Sequence, residues 1–208
     1  MKIGLIGAGH IGSNLARLAV KHGHDVIISN SRDPKTLQNL VTELGPHAKA
    51  AWAKDAAAQG DIVVVTIPLK NYQSVPVEPL KGKIVIDTMN YYPTRDGQIV
   101  ALDNGTSTTS ELLQAHLPES NVVKAFNSIF ASDLLSTAAS KDDPNRRTLP
   151  IAGNDPEAKT VVSHLIDQFG FDTYDVGQLH EGFRFQNGTP AYTIRANRDQ
   201  LISALNKA

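Results

Sequence analysis

The stretch MKIGLIGAGHIG, residues 1–12, decides the fold of this chain. A short apolar run leads into Gly7, Gly9 and Gly12, and a segment with helical spacing follows at 13–22. This order predicts a β-strand, a tight turn and an α-helix. Gly7 suits the turn, Gly9 lets the backbone approach a pyrophosphate, and Gly12 lets the helix lie close to the strand. The stretch therefore predicts a dinucleotide-binding unit.

The start of this helix is expected to hold the phosphates. The backbone N–H groups at His10 and Ile11 point out of the helix, where the positive end of the helix dipole favours anions. The His10 side chain either binds a phosphate or points to solvent. A purely structural glycine turn is the alternative, but the position directly after a strand and before an amphipathic helix favours a nucleotide.

Composition narrows the class of protein. The chain has 208 residues, of which 41% are hydrophobic and 20% charged, so it can bury a sizeable core. We expect one domain, 1–208, with a dinucleotide-binding core at 1–120 and the remaining strands, a loop and a terminal helix at 121–208. The net charge of −1 gives no sign of a nucleic-acid or membrane partner. Cysteine is absent, which excludes disulfides and thiolate chemistry.

The end of the second strand indicates which nucleotide is bound. An NAD-selective unit carries an acidic residue there, whereas an NADP-selective unit has small polar residues and an arginine. This chain reads Ser29-Asn30-Ser31-Arg32, so Arg32 is free to pair with a 2′-phosphate. Asp33 either pairs with Arg32 or caps the next helix, and the following Pro34 favours the cap. The sequence thus predicts NADP.

Alternating strand and helix patterns predict an α/β fold with a doubly wound, mostly parallel sheet, that is, a Rossmann-like domain with a short C-terminal extension. Buried strands at 61–67 and 83–87 end in polar loops, which in such sheets line the ligand crevice. Thr66, Ile67, Pro68 and Asn71 are therefore candidates to contact the cofactor. Asp87 is either a general acid or base or, as we favour, an acceptor of backbone N–H groups.

The second half of the chain continues the alternation. Strands are predicted at 121–125, 148–152 and 171–176. The charged stretch 141–147 is expected to be a solvated loop, with an anion site as the alternative. The aromatic, glycine-containing loop 183–192 either covers an acceptor or forms a dimer contact or core plug. Histidines are scattered without a third ligand nearby, so no metal site is expected.

Several motifs, taken together, resemble a known family. They are GAGHIG at 7–12, SNSR at 29–32, DTMN at 87–90, VKAFN at 123–127 and FQNGTPAY at 185–192. The chain resembles NADP oxidoreductases that use the 8-hydroxy-5-deazaflavin coenzyme (coenzyme F420), a fold shared with membrane ferric reductases of the six-transmembrane type. The resemblance implies NADPH along the strand ends, an acceptor ring stacked on the nicotinamide, a C-terminal loop that helps to close the site, and a homodimer.

These inferences combine into one functional hypothesis: a cytoplasmic oxidoreductase that transfers a hydride between NADP(H) and a flat ring acceptor such as deazaflavin or flavin. Hydride transfer needs proximity and exclusion of water more than an acid or base, so no catalytic residue is assigned. Asp87, His180 and Tyr192 are the only plausible proton donors. The alternatives are an NADP-binding sensor without turnover and an imine or hydroxyacid reductase related to pyrroline-5-carboxylate reductase.

The expected binding residues follow from this hypothesis. The cofactor lies across the glycine turn, its 2′-phosphate is held by Ser31 and Arg32, and the nicotinamide reaches Pro68, Asn90 and the segment 125–127. The complete set of expected cofactor-binding residues is Gly7, Gly9, His10, Ile11, Gly12, Ser29, Asn30, Ser31, Arg32, Thr66, Ile67, Pro68, Asn90, Ala125 and Asn127.

Overall fold

The computed structural model describes all 208 residues and contains one eight-stranded sheet. The strands are β1 (Lys2–Ile6), β2 (Asp25–Ser29), β3 (Ala48–Ala50), β4 (Ile62–Val65), β5 (Ile84–Asp87), β6 (Asn121–Lys124), β7 (Thr148–Gly153) and β8 (Asp172–Gly177). Their order across the sheet is β3-β2-β1-β4-β5-β6-β7-β8. Strands β1 to β6 run parallel, β7 is antiparallel to β6, and β8 is parallel to β7. The predicted doubly wound, mostly parallel sheet is confirmed.

Helices connect the strands and cover both faces of the sheet. They are α1 (His10–Lys21), α2 (Gln38–Leu44), α3 (Ala53–Gln59), α4 (Pro93–Asp96), α5 (Val100–Asp103), α6 (Thr109–His116), α7 (Ala131–Ser136), α8 (Pro156–Gln168) and α9 (Arg198–Leu205). Short 3₁₀ helices occupy Pro34–Leu37, Leu69–Ser74, Glu78–Leu80 and Leu179–Phe185. The short helices α4, α5 and α7 were not predicted from the sequence, because none has a long apolar period. No helix has the length and apolar character that a membrane crossing requires.

The sheet separates two apolar cores. Side chains alternate between the faces of a strand, so Ile62 and Val64 of β4 pack with α1 and α8 while Val63 and Val65 pack with α6 on the other side. Each such buried Val or Ile contributes roughly 1.5–3 kcal/mol to stability. A third, smaller core joins the C-terminal segment to β7 and includes Phe185. The chain after residue 121 therefore extends the sheet and does not form a separate helical domain.

The charged stretch before β7 differs from its prediction. Arg146 and Arg147 are 4% and 2% exposed, so a solvated loop is wrong for these two residues. Arg146 Nη1 lies 2.7 Å from a carboxylate oxygen of Asp167 and 2.7 Å from one of Asp172. Arg147 Nη1 lies 2.7 Å from Asp133 Oδ2. Both arginines can be buried because each guanidinium is bonded to carboxylate and carbonyl oxygens. These partners are distant in the sequence, so the sequence pattern did not predict them.

A close backbone contact sets the position of α3 against the central strand β1. A Cβ atom on Gly4 would overlap the carbonyl oxygen of Ala56 and would lie 3.2 Å from Val63 Cγ2. A side chain at this position would therefore push the helix off the sheet. Gly4 lies in the middle of a predicted strand, and its packing role was not predicted.

We expect Gly4→Ala to lower the free energy of unfolding by about 1–3 kcal/mol, because the added methyl group meets rigid backbone. Gly9→Ala is the matched control, since a Cβ there would have no atom within 4 Å. Urea unfolding of both variants measures the difference. Equal stability of the two variants would contradict the close contact.

Candidate functional site

A groove crosses the carboxyl ends of β1, β4, β5 and β6, where the strand order reverses and ligands bind in sheets of this type. Its outer section, of about 380 Å³, extends from the turn 7–9 to the segment 30–32. Its inner section, of about 320 Å³, extends from the start of α1 to Asn90 and Asn127. The two sections share Gly9, Thr66, Ile67 and Pro68. The predicted residues at the end of β4 thus lie in the middle of a continuous groove.

Each glycine of the first turn has a different steric role. Gly7 has φ +114°, which side chains rarely allow. A Cβ on Gly12 would overlap the carbonyl oxygen of Gly7 and lie 2.8 Å from Thr66 Cγ2, so α1 packs directly on the end of β4. Nothing lies within 4 Å of the position of a Cβ on Gly9. Gly7 and Gly12 therefore build the turn, whereas Gly9 leaves space in the groove.

The start of α1 offers unpaired donors to this space. The first main-chain bond of the helix runs from the N–H of Ser13 to the carbonyl oxygen of Gly9, at 2.8 Å. The amides of His10, Ile11 and Gly12 donate to no backbone oxygen, and no side chain caps the helix. Free amides at the positive end of a 12-residue helix form an anion-binding position. The His10 side chain is exposed beside it.

The end of β2 places only part of its predicted set in the groove. Ser29 is fully buried, and its hydroxyl donates to the carbonyl oxygen of Leu5 at 2.9 Å. Ser29 therefore joins β2 to β1 and does not face the groove, which corrects its prediction as a binding residue. Asn30, Ser31 and Arg32 do line the outer section.

Arg32 is exposed and has no ion-pair partner in the protein. Asn30 Oδ1 accepts the backbone N–H of Arg32 at 2.9 Å and so fixes the start of its side chain. Asp33 accepts the backbone N–H of Lys35 at 2.8 Å as the cap of the next turn. The predicted cap is confirmed, and the guanidinium remains available to a ligand.

A pair of asparagines closes the inner section. Asn90 Nδ2 donates to the carbonyl oxygen of Asn127 at 2.8 Å, and Asn127 Nδ2 donates to Asn90 Oδ1 at 3.2 Å and to the carbonyl oxygen of Phe185 at 3.0 Å. Asn127 is only 3% exposed, yet its Oδ1 has no hydrogen-bond partner. A buried acceptor without a donor is costly, so this oxygen is suited to a ligand N–H group. Ala125, predicted beside it, lies fully buried in the core and does not line the groove.

Strained backbone occurs at the same end. Phe126 and Thr193 have φ of 58° and 57°, the only positive values among non-glycine residues, and both line the inner section. Such strain collects at functional sites and needs support from its surroundings. Arg147 Nη2 supplies support by donating to the carbonyl oxygens of Thr193, at 3.3 Å, and Ile194, at 2.9 Å.

Aromatic side chains border the inner section, and we call Tyr92, Phe130 and Tyr192 the aromatic rim. Phe130 is 57% exposed, which is unusual for such a large apolar side chain. The hydroxyls of Tyr92 and Tyr192 lie 2.6 Å apart, and Arg95 stacks 4.8 Å from the centre of the Tyr92 ring. Burial and the bond to Tyr92 raise the pKa of Tyr192, so it stays protonated at neutral pH. Tyr92 and Phe130 were not predicted, although each follows a buried strand within a few residues.

The three candidate proton donors, Asp87, His180 and Tyr192, lie in different parts of the structure. Asp87 is fully buried, and its oxygens accept the Met89 N–H at 2.8 Å and the Ser110 hydroxyl, which confirms the favoured structural role. His180 lies in another cavity and pairs with Glu181 at 2.8 Å. Only Tyr192 lines the groove.

The loop 183–192 is divided between two places. Phe183, Gln186 and Asn187 line the separate cavity, of about 500 Å³, together with residues of the loop before α6. Phe185 is buried in the third core. Among the residues of this loop, Tyr192 alone reaches the groove. The loop is thus partly the core plug that the sequence left as an alternative.

Comparison with known proteins fits this geometry. Residues 2–91 match the family model described as NADP oxidoreductase coenzyme F420-dependent. The chain is 30% identical over 209 residues to the F420-dependent NADP reductase of Methanocaldococcus jannaschii, a match that covers 91% of this chain and 90% of that protein. It is 32% identical over 180 residues to the metalloreductase STEAP3 of Rattus norvegicus, covering 86% of this chain and 34% of that protein. The chain therefore spans about a third of the rat protein.

A solved structure extends the similarity to three dimensions. The crystal structure of the hypothetical protein SMa0349 from Sinorhizobium meliloti superposes with a TM-score of 0.79 at 30% identity, and the match covers 93% of each chain. The resemblance inferred from the motifs is confirmed by these comparisons. The chain belongs to the coenzyme F420-dependent NADP oxidoreductase family, a family of NADP-dependent oxidoreductases.

Proposed function

We propose that this protein transfers a hydride between NADP(H), bound along the groove, and a flat ring acceptor of the deazaflavin or flavin type. Dependence on NADP follows from the family, whereas the acceptor class is our inference from the inner section. One observation carries the proposal: a single groove joins an anion-binding helix start to the unpaired amide oxygen of Asn127 beneath the aromatic rim.

The outer section fits the phosphate-bearing half of NADP. The free amides at His10 and Ile11, which line the inner section beside the shared Gly9, would hold the pyrophosphate where the two sections meet. Arg32, unpaired at the far end, would bind the 2′-phosphate through its planar guanidinium, with Ser31 beside it. The segment 29–32 at the end of β2 has no acidic side chain that would select an unphosphorylated ribose.

The inner section fits the nicotinamide half. The carboxamide of a nicotinamide carries the N–H donors that Asn127 Oδ1 lacks. Asn90 would orient Asn127 through their two mutual hydrogen bonds. Bound NADPH supplies the hydride, and the residues around it position the ring and exclude water.

The aromatic rim supports a flat acceptor. Phe130 offers an exposed ring face at the inner section, and Tyr92 and Tyr192 form a hydrogen-bonded wall near it. Planar rings stack on such side chains with a gain of about 0.5–1.5 kcal/mol beyond area burial. Phe130 is also well held, because α7 is fixed to α1 by the bond from Asn14 Nδ2 to the Ala131 carbonyl oxygen at 2.7 Å. Stacking would bring two rings together without any acid or base.

The direct test has two steps. The first is titration of the protein with NADPH and NADH, and the second is loss of absorbance at 340 nm with deazaflavin, FMN, FAD, ferric chelates and quinones. Tight NADPH binding with turnover of one flat acceptor supports the proposal. Binding without turnover of any acceptor would favour a sensor. We also propose a homodimer from the family resemblance, which size-exclusion chromatography with light scattering tests.

We expect Arg32→Ala to weaken NADPH binding about 10- to 100-fold, because a charged hydrogen-bond partner of the 2′-phosphate is lost. NADH binding should change less than about twofold, because NADH lacks that phosphate. Fluorescence titration of both nucleotides measures the ratio. Lys35→Ala, which removes an exposed cation three positions along, is the control for overall charge. An equal loss of affinity for NADPH and NADH would contradict the assignment of Arg32 to the 2′-phosphate.

We expect Phe130→Ala to raise KM for the flat acceptor about fivefold through lost stacking, with the Kd for NADPH nearly unchanged. Phe183→Ala is the matched control, since Phe183 is 42% exposed but lines the separate cavity. Steady-state kinetics and NADPH titration of both variants give the two constants. A larger effect from Phe183→Ala would place the acceptor under the 183–192 loop.

A further inference from the structure

A fully buried lysine lies under the inner section of the groove. Lys124 ends β6 and is 1% exposed. Its Nζ donates to the carbonyl oxygen of Met89 at 3.1 Å, to Thr109 Oγ1 at 2.8 Å and to Ser110 Oγ at 3.3 Å. All three donors of the ammonium group are therefore used, and none points to solvent.

The carboxylate of Asp87 completes this arrangement from β5. Its Oδ2 lies 3.9 Å from Lys124 Nζ and accepts the Ser110 hydroxyl, and its Oδ1 accepts the Met89 N–H at 2.8 Å. The Asp87 side chain is fully buried. Met89 is consequently held twice, its N–H by the carboxylate and its carbonyl oxygen by the ammonium group.

This double attachment fixes the loop that enters the groove. Thr88, Met89 and Asn90 all line the inner section. The Met89 carbonyl belongs to the peptide unit that leads into Asn90, so its direction sets where Asn90 begins. Asn90 in turn orients Asn127 and its unpaired oxygen. The chain of contacts runs from the buried pair to the groove in two steps.

Stability alone does not account for such a pair. Two buried charges are costly, and apolar replacements of similar volume are often as stable or more stable. Burial lowers the pKa of Lys124, and the charge of Asp87 opposes that change. The C-terminal segment also closes tightly over the lysine, since a Cβ on Gly182 would lie 2.7 Å from Lys124 Cδ.

We infer that Lys124 and Asp87 act as a positioning pair that fixes the 88–90 loop for recognition of the nicotinamide carboxamide. This inference rests on the proposed function, in that NADP occupies the groove. Neither residue touches the ligand, and each acts through Met89 and Asn90. The pair therefore governs affinity at one end of the groove only.

The test uses two probes that separate the ends of the groove. NADPH occupies both sections, whereas 2′,5′-ADP carries only the phosphate-bearing half that faces Arg32. We expect Lys124→Met to raise the Kd for NADPH about tenfold and to leave the Kd for 2′,5′-ADP within about twofold. Calorimetric titration of the full chain measures both constants.

A second lysine provides a matched control. Lys83 Nζ also makes three hydrogen bonds, to the carbonyl oxygens of Ala57, Ala58 and Gly60 at 2.7–2.8 Å, at the opposite end of the sheet. Lys83→Met removes the same chemical groups and should leave both Kd values unchanged. In hydrogen exchange of the free protein, the segment 87–91 should exchange faster in Lys124→Met than in Lys83→Met.

Two milder variants cover the case in which Lys124→Met does not fold. Thr109→Val removes one acceptor of Lys124 while keeping its shape, and should raise the Kd for NADPH about threefold with 2′,5′-ADP unaffected. Asp87→Asn combined with Lys124→Met leaves no unpaired charge; if this variant folds, binds NADPH more weakly and binds 2′,5′-ADP as before, the positional role is supported.

The outcomes separate the two hypotheses. Equal weakening of NADPH and 2′,5′-ADP by Lys124→Met or Thr109→Val would mean a merely structural role and overturn the inference, as would no weakening of either. If the unaltered protein binds neither NADPH nor 2′,5′-ADP, the proposed function is refuted instead.

Discussion

The contact on which the groove depends is the packing of the first glycine turn against the end of β4. Because Gly12 has no side chain, the start of α1 lies so close to Gly7 and Thr66 that a Cβ atom there would overlap the Gly7 carbonyl oxygen and lie 2.8 Å from Thr66 Cγ2. This approach aims the free amides of the helix at the carboxyl edge of the sheet. Both sections of the groove meet at this point, so a displaced α1 would separate them. Backbone proximity, more than any side chain, defines where a ligand lies.

The two ends of the groove are built by different forces. The outer section presents an unpaired cation, and the helix amides lie where it meets the inner section; both recognise charge and are weakened by salt. The inner section presents aromatic rings and the buried, orphan amide oxygen of Asn127. An unsatisfied acceptor in such a place discriminates strongly, because a ligand without the matching donor leaves it unpaired. One end can therefore provide affinity while the other sets orientation.

Buried cations support the inner section from behind. Arg147 attaches α7, through Asp133, to the strained backbone at Thr193. Lys124 attaches β6 to the loop after β5. Each cation donates hydrogen bonds to the backbone of a loop segment that lines the groove. Without such bonds, a loop segment would be more mobile. The strands β7 and β8 matter here because they bring Arg147 and the C-terminal segment next to β6.

The sequence by itself determined the parts that depend on local pattern. Periodicity predicted the strands, the long helices and their order along the chain, because apolar residues recur with the period of a buried strand or an amphipathic helix. Local chemistry likewise predicted the glycine turn, the Asp33 cap and the exposed Arg32. Several positions required the tertiary structure: the burial of Ser29, Ala125 and Arg146, and the placement of the loop 183–192.

The antiparallel pairing of β6 with β7 shows why these positions could not be predicted from the sequence. A sequence pattern indicates which residues of a strand are buried, but not the direction of the strand or the strand with which it pairs. The aromatic rim and the Asp87–Lys124 pair likewise unite residues that are 37 to 100 positions apart. Periodicity is a property of neighbours in sequence, whereas a site is a property of neighbours in space. The sequence therefore determined the fold and the phosphate end of the groove, and only the packing of distant segments decided the inner end.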